Sequence, residues 1–174
     1  MLNRFVVLTV SLFFAGFAGA QNQQAVRDQL FGEVDAAKKA AEAAHAAVLG
    51  PTAYAEAMEL YVSAGDELEK GKDLDRVREE VAEAKGLFDR ATEAAKLAQV
   101  TFADALTARA AAEKAEAAKY AARDWQRVEA ILREAATELE GGNMNRATKT
   151  AADAIEDYRK VESKAINERA KAGA

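Results

Sequence analysis

The sequence predicts an all-α protein built from long antiparallel helices. Composition supports this class, because proline occurs once in 174 residues, cysteine is absent and alanine is the most frequent residue. Lys, Glu, Arg and Leu, which are also strong helix formers, supply much of the remainder. Apolar residues recur at alternating steps of three and four, whereas alternation with period two, typical of strands, is absent. The arrangement we expect is a three-helix coiled-coil rod, with a compact helical bundle as the alternative.

Glycine-containing turns mark the expected helix boundaries. Gly71 precedes Asp73, and Gly142 precedes Asn143. Glycine suits the left-handed position after a helix, and Asp or Asn suits the N-cap of the next one. Gly50-Pro51 is a weaker break, at which a helix kinks or stops.

These boundaries predict three helices, at about 23–70 (kinked near Pro51), 74–140 and 144–171. At 1.5 Å per residue the middle helix would span on the order of 100 Å if it is continuous. The first and third helices would pack antiparallel to it. A break near 98–122 would instead fold the chain into a compact bundle.

The expected core follows the heptad spacing. The seam of the middle helix begins with Val77, Val81, Ala84, Phe88, Ala91, Ala95, Ala98, Phe102 and Ala105. It then shifts to Ala108, Ala112, Ala115, Ala118, Ala122, Trp125, Val128, Leu132, Ala135 and Leu139. Alanine buries little area, so we expect the aromatic side chains to carry much of the stability. These are Phe31, Tyr54, Tyr61, Phe88, Phe102, Trp125 and Tyr158.

The chain aligns with itself when shifted by 71 residues. Phe31 then falls on Phe102, Leu68 on Leu139, and Gly71 on Gly142. We therefore predict a tandem duplication with units at about 30–100 and 101–171. Repeat architectures commonly serve as scaffolds or binding surfaces.

The first twenty residues are typical of a secretory signal peptide. Arg4 precedes an apolar run from Phe5 to Phe17, and Ala18-Gly19-Ala20 forms a small-residue cleavage site before Gln21. We expect cleavage after Ala20, a helical domain at 21–174 with no transmembrane span, and a periplasmic or secreted location.

Charge and composition narrow the expected partners. The net charge is −5 at pH 7, and loss of Arg4 with the signal peptide makes the mature chain more negative still. This acidic balance argues against nucleic acid as the main partner. We expect a protein partner or self-association.

We predict no catalytic, cofactor-binding or metal-ligating residue, and hence no enzyme. Glu42 and the only histidine, His45, have the Glu-x-x-His spacing of di-metal bundles, but such a site needs two of these motifs. Ser63 and Ser163 lack the glycines of a nucleophile elbow. The acidic cluster Glu79, Glu80 and Glu83 is interpreted as an exposed helix face. A solvated face is also expected for the basic residues Arg109, Lys114, Lys119, Arg123 and Arg127, with a weak docking patch as the alternative.

Ala36 to Leu97 contains an alanine-rich helix, Gly50-Pro51 followed by Tyr54 and Ala57, and the turn Gly71-Lys72-Asp73. This stretch resembles an uncharacterised helical-hairpin family of bacterial envelope proteins and lipoproteins, sometimes fused to OmpA-like domains. The resemblance implies a helical hairpin and an envelope location, and it carries no activity. We therefore expect a non-enzymatic structural or protein-interaction element of the cell envelope. The alternative is a periplasmic holdase-type chaperone for outer-membrane proteins.

Overall fold

The computed structural model describes residues 15–173, and this part of the chain forms eight helices without a strand. The all-α prediction is therefore confirmed. The helices are α1 (Ala15–Ala43), α2 (Ala46–Leu49), α3 (Pro51–Glu69), α4 (Leu74–Thr101), α5 (Ala103–Lys114), α6 (Ala117–Tyr120), α7 (Ala122–Glu140) and α8 (Met144–Ala172). The predicted signal peptide, residues 1–20, lies largely outside the described residues.

Helices α1, α3 and α4 form a first three-helix bundle. The chain reverses direction at α2, so that Phe31 of α1 and Tyr61 of α3 meet edge to face with ring centroids 5.6 Å apart. Tyr61 and Tyr54 also contact Phe88 of α4, at 6.3 and 5.7 Å. These aromatic contacts place all three helices around one core.

Helices α5, α7 and α8 form a second bundle with the same order of helices. Arg109 of α5 bonds Glu129 of α7, and Trp125 of α7 lies 5.8 Å from Tyr158 of α8. At the outer end, Lys164 of α8 donates to Asp124 near the start of α7. The short helix α6 makes the reversal between α5 and α7, as α2 does in the first bundle.

The two bundles are joined end to end through α4 and α5. Phe102 alone separates these two helices. The helical hydrogen-bonding pattern continues through it, because its N–H donates to the carbonyl of Ala98 and its carbonyl accepts from the N–H of Leu106. Phe102 is buried, so this kink belongs to the core. The C-terminal end of α7 contacts α2, α3 and α4 of the first bundle.

The glycine turns lie where the sequence predicts them. Gly71 and Gly142 adopt left-handed φ angles of 66° and 79°. The Asp73 side chain caps α4 by accepting from the N–H of Asp75. Asn143 occupies the equivalent position before α8 but makes no side-chain cap bond.

The helix predicted at 23–70 with a kink near Pro51 is interrupted already at His45, and the helix at 74–140 is broken at Phe102 and Glu116, within the range 98–122 of the alternative prediction. His45 and Glu116 adopt left-handed backbone conformations, with φ of 58° and 61°, and a second irregular residue follows each, at Gly50 and Ala121. The sequence gives no stop signal at the later break. Burial explains it, since α7 can pack on both α5 and α8 only if the chain turns back there.

The heptad seam predicts most of the core. Every predicted position from Val77 to Ala105 is buried. The prediction is wrong at Ala118 of the short helix α6 and at Ala122, the first residue of α7, which are exposed, and Trp125 is only partly buried.

The two turns lie 71 residues apart, at His45 and Glu116, which is the shift at which the sequence aligns with itself. Helices α3 and α7 each contain 19 residues, and α2 and α6 each contain four. The common origin of the two units stays a prediction.

Candidate functional site

A partly buried polar cluster links the three helices of the second bundle. Arg109 of α5 donates to both carboxylate oxygens of Glu129 on α7, from Nε at 2.8 Å and from Nη2 at 3.0 Å. The fully buried Tyr158 of α8 donates its hydroxyl to Glu129 Oε1 at 2.6 Å. The Arg109 guanidinium also lies over the Trp125 ring, 5.4 Å from its centroid. This paired arrangement ties all three helices together.

The electrostatics of this cluster follow from burial and pairing. Burial raises the pKa of the Tyr158 phenol far above its ordinary value, and the hydrogen bond to Glu129 raises it further. Burial lowers the pKa of Arg109, but the hydrogen bond and charge of Glu129 more than offset this effect and leave it raised. Tyr158 therefore stays protonated and Arg109 stays charged at neutral pH, so neither acts as a proton carrier there.

A related cluster occupies the first bundle. Tyr61 donates to Asp35 Oδ1 at 2.6 Å, and Arg27 donates to the Tyr61 hydroxyl oxygen at 3.1 Å. Arg27 lies over the Phe31 ring, 4.8 Å from its centroid. This cluster is more open than the one around Tyr158, because Arg27 and Asp35 keep about two-fifths of their side-chain surface exposed.

In each bundle one glutamate pairs with a basic residue across the turn of the C-terminal hairpin. The buried Glu67 on α3 pairs with Lys72 and with Arg76, at 3.2 Å in each case. At the equivalent turn Glu138 pairs with Arg146 and accepts from the hydroxyl of Thr150 at 2.8 Å. In these pairs the carboxylates are buried while the side chains of Lys72, Arg76 and Arg146 stay exposed.

Glu140 holds the two bundles against each other. Its carboxylate, at the end of α7, accepts from the backbone N–H groups of Thr52 at 2.9 Å and Ala53 at 3.2 Å. These are free donors in the first turn of α3, which has no side-chain cap of its own. Glu140 thus supplies from the second bundle the cap that α3 lacks.

A small pocket opens near the same joint, with a volume of about 220 Å³. It is lined by His45, Val48, Leu49, Gln99, Leu106 and Arg109. This volume is below the roughly 300–1,000 Å³ of ordinary small-molecule sites. The guanidinium in its lining, that of Arg109, already forms an ion pair with Glu129.

The sequence candidates for chemistry are dispersed. His45 is exposed in the turn after α1, and Glu42 pairs with Lys38 instead. Ser63 lies on α3, whereas the Ser163 hydroxyl on α8 donates to the carbonyl of Arg159. Over residues 15–173 no group of three or more His, Cys, Asp or Glu side chains is arranged to hold a metal ion.

Two charge predictions need correction. Glu79 and Glu83 are exposed as expected, but Glu80 is partly buried and pairs with Arg76. Among the basic residues, Lys114, Lys119, Arg123 and Arg127 are exposed, whereas Arg109 is partly buried against Glu129. The predicted shift of the seam to Ala108 holds, since Ala108 is buried, and Arg109 beside it is partly buried because it pairs with Glu129.

Sequence reasoning missed the joint residue Glu140 and the pairing of Arg109 with Glu129. A signal for Arg109 does exist in the internal alignment, which places it on Lys38. Lys38 likewise lies over an aromatic ring, 5.8 Å from the centroid of Tyr61. For Glu140 there is no such signal, because its contact depends on how the bundles stack.

Among the described helices, none combines the length and the apolar character needed to cross a membrane. The fold and its polar clusters together define an all-α protein of two stacked three-helix bundles. Comparison with family models, with curated proteins and with solved structures finds no match to this chain. The resemblance to an envelope hairpin family therefore stays a prediction.

Proposed function

We propose that this protein is a non-enzymatic structural or protein-interaction element of the bacterial cell envelope, exported to the periplasm. The signal-peptide pattern of residues 1–20 supports export. The helical architecture supports a role as a spacer or scaffold.

One observation carries the structural part of this proposal. The buried and partly buried polar side chains link helices, as do Glu67 with Arg76 and the group formed by Arg109, Glu129 and Tyr158. Active sites commonly contain ionisable groups with shifted pKa values that face a cleft in which a substrate binds. In this cluster the carboxylate binds a permanent cation and a phenol that keeps its proton. It therefore acts as a fixed link between α5, α7 and α8.

Export is tested first. We expect the chain produced with its own first twenty residues to appear in the periplasmic fraction, with Gln21 at its N-terminus by mass spectrometry. The matched control is the chain begun at Gln21, which should stay in the cytoplasm. Equal distribution of the two forms would contradict export.

The envelope role needs a separate measurement. We expect deletion of the gene to raise sensitivity to detergents and large antibiotics, and the exported chain to restore resistance. An unchanged envelope would contradict the proposed role. The mature protein is also mixed with an unfolded outer-membrane protein, because suppression of its aggregation would favour the holdase chaperone instead.

A further inference from the structure

The turn between α5 and α7 is built from residues that favour a continuous helix. From Ala115 to Ala122 the sequence contains neither glycine nor proline. Five of these eight residues are alanine, and the other three are Glu116, Lys119 and Tyr120. Yet Glu116 is left-handed, with φ of 61°, and Ala121 leaves the helical region. Neither α6 nor α7 has a side-chain cap. Local preference and tertiary fold therefore conflict at this turn.

The equivalent turn in the first bundle also contains a left-handed residue, His45 with φ of 58°, but a stop signal follows it. Gly50 and Pro51 stop the helix there, and a side-chain carbon on Gly50 would lie 2.5 Å from the carbonyl oxygen of Ala91. The second bundle also covers this turn, because Leu49 and Ala53 are buried and Glu140 caps α3. The turn at α6 is instead at the outer end, where Ala118, Lys119 and Ala122 are exposed. Ala117 and Ala121 of the same turn are buried. Straightening carries α7 away from its own first bundle, so the contact of Glu140 with Thr52 and Ala53 must then also be made by a partner.

We propose that α5, α6 and α7 straighten into one helix over residues 103–140. The α7–α8 hairpin of a second copy of this chain then packs on α5. In this exchanged dimer, α5 of each copy contacts α7 and α8 of the other copy as it contacts its own α7 and α8 in the monomer. The exchange is mutual, so the assembly closes as a two-fold dimer. Opening releases the left-handed strain at Glu116 and adds helical hydrogen bonds, while the core contacts are kept.

This inference concerns the second bundle and its joint with the first, and it does not depend on where the protein functions. A surface-to-surface dimer would leave Arg109 paired with Glu129 of its own chain. In the exchanged dimer the pair forms between copies. The two arrangements therefore respond differently when the charges of this pair are reversed.

The first test moves the stop signal of the first bundle into the second. Ala121→Gly with Ala122→Pro places the Gly-Pro of residues 50–51 at the equivalent turn, where proline suits the first position of α7. In a straight helix the same proline would remove a hydrogen bond and clash with the preceding turn. We expect the dissociation constant of the dimer to rise at least about a hundredfold in sedimentation equilibrium. An unchanged constant, or a wild-type chain that is monomeric at all concentrations, would overturn the proposal.

The second test uses complementary charge reversal. Arg109→Glu and Glu129→Arg each break the pair within a chain, whereas a mixture of the two variants restores both pairs only in an exchanged dimer. We expect the mixture to form heterodimers after joint unfolding and refolding, and each variant alone to dimerise more weakly. The double variant in one chain restores the ion pair but loses the bond from Tyr158 to Glu129, so it should dimerise more weakly than wild type and more strongly than either single variant, which controls for folding. Failure of the mixture to form heterodimers while the double variant dimerises would refute the exchange.

Discussion

Tyr158 shows how a single residue links the three helices of the second bundle. Its hydroxyl donates to Glu129 while its ring packs against Trp125, so it serves both the polar cluster and the core. Because burial and this hydrogen bond raise its pKa, the folded chain holds the phenolic proton more tightly than the unfolded chain does. The stability that results is fully present below the ordinary pKa of 10.0 and is lost as pH rises above it.

We expect wild-type stability to fall above pH 10.0 more steeply than that of Tyr158→Phe. The extra slope is at most about 1.4 kcal/mol per pH unit, the limit for one proton. Urea unfolding at pH 7 and across the alkaline range measures it. The difference between the two slopes of unfolding free energy against pH cancels the lysine titrations, which both proteins share. Parallel curves would show that Tyr158 ionises normally in the folded state.

Glu140 and Glu69 form a matched pair of residues at the ends of α7 and α3. Only Glu140 reaches another helix, where its carboxylate accepts from Thr52 and Ala53, while Glu69 is exposed. We expect Glu140→Ala to cost about 1 kcal/mol, as loss of a helix cap does, and Glu69→Ala to cost less than half of that. Thermal and urea unfolding measure both. Equal losses would mean that the joint contact does not stabilise the fold.

Phe88 and Lys119 represent the two extremes of side-chain burial. Phe88 is fully buried and contacts both Tyr54 and Tyr61, so Phe88→Ala should cost about 3–5 kcal/mol. Trp125→Ala, at a partly buried position, should also destabilise. Lys119 is exposed, and Lys119→Ala should change the free energy of unfolding by no more than about 0.5 kcal/mol. Similar effects at the three positions would contradict the assigned core.

At the scale of the element, both reversals of the chain contain a left-handed residue, His45 or Glu116, but only the first has glycine and proline beside it. Gly50 is required at the first, because any larger residue would meet the carbonyl of Ala91. At the second, the left-handed Glu116 costs roughly 1–2 kcal/mol. Packing outweighs this cost, because the burial of Val128 and Leu132 on α7 stabilises the fold by about 1.5–3 kcal/mol for each side chain. A local cost is therefore overcome by tertiary burial.

Two glycines distinguish a required position from a tolerated one. Gly50→Ala should destabilise strongly because its new methyl group would lie 2.5 Å from a backbone oxygen. Gly65→Ala, within α3, meets no atom within 4 Å and should stabilise by up to about 1 kcal/mol through helix propensity. Opposite signs in thermal unfolding are the expected result. A neutral or stabilising Gly50→Ala would contradict the close approach of α2 to α4.

At the scale of the whole molecule, stacking of the bundles sets the dimensions. Helices α4 and α5 contain 28 and 12 residues and run in series past the joint. At 1.5 Å per residue they span about 60 Å, and the terminal turns add roughly 10–20 Å. The predicted length of about 100 Å for a continuous middle helix is replaced by this shorter value.

Small-angle scattering of the monomeric mature chain tests this architecture. We expect a maximum dimension of about 70–80 Å. A value near 100 Å at monomer mass would indicate that the middle helix is continuous, and a value near 50 Å would indicate side-by-side bundles. Scattering at increasing concentration also separates the monomer from the exchanged dimer, whose straightened helices make it longer.

The sequence by itself determined the helical class, the glycine turns at Gly71 and Gly142, and the buried seam from Val77 to Ala105. These features depend on residues within a turn or two of one another, which periodicity and glycine conformation describe well. Only the tertiary structure decided the reversal at Glu116, the pairing of Arg109 with Glu129 and the capping of α3 by Glu140. Each of these depends on groups far apart in the chain, because helix propensity is local whereas the burial that outweighs it is shared among three packed helices.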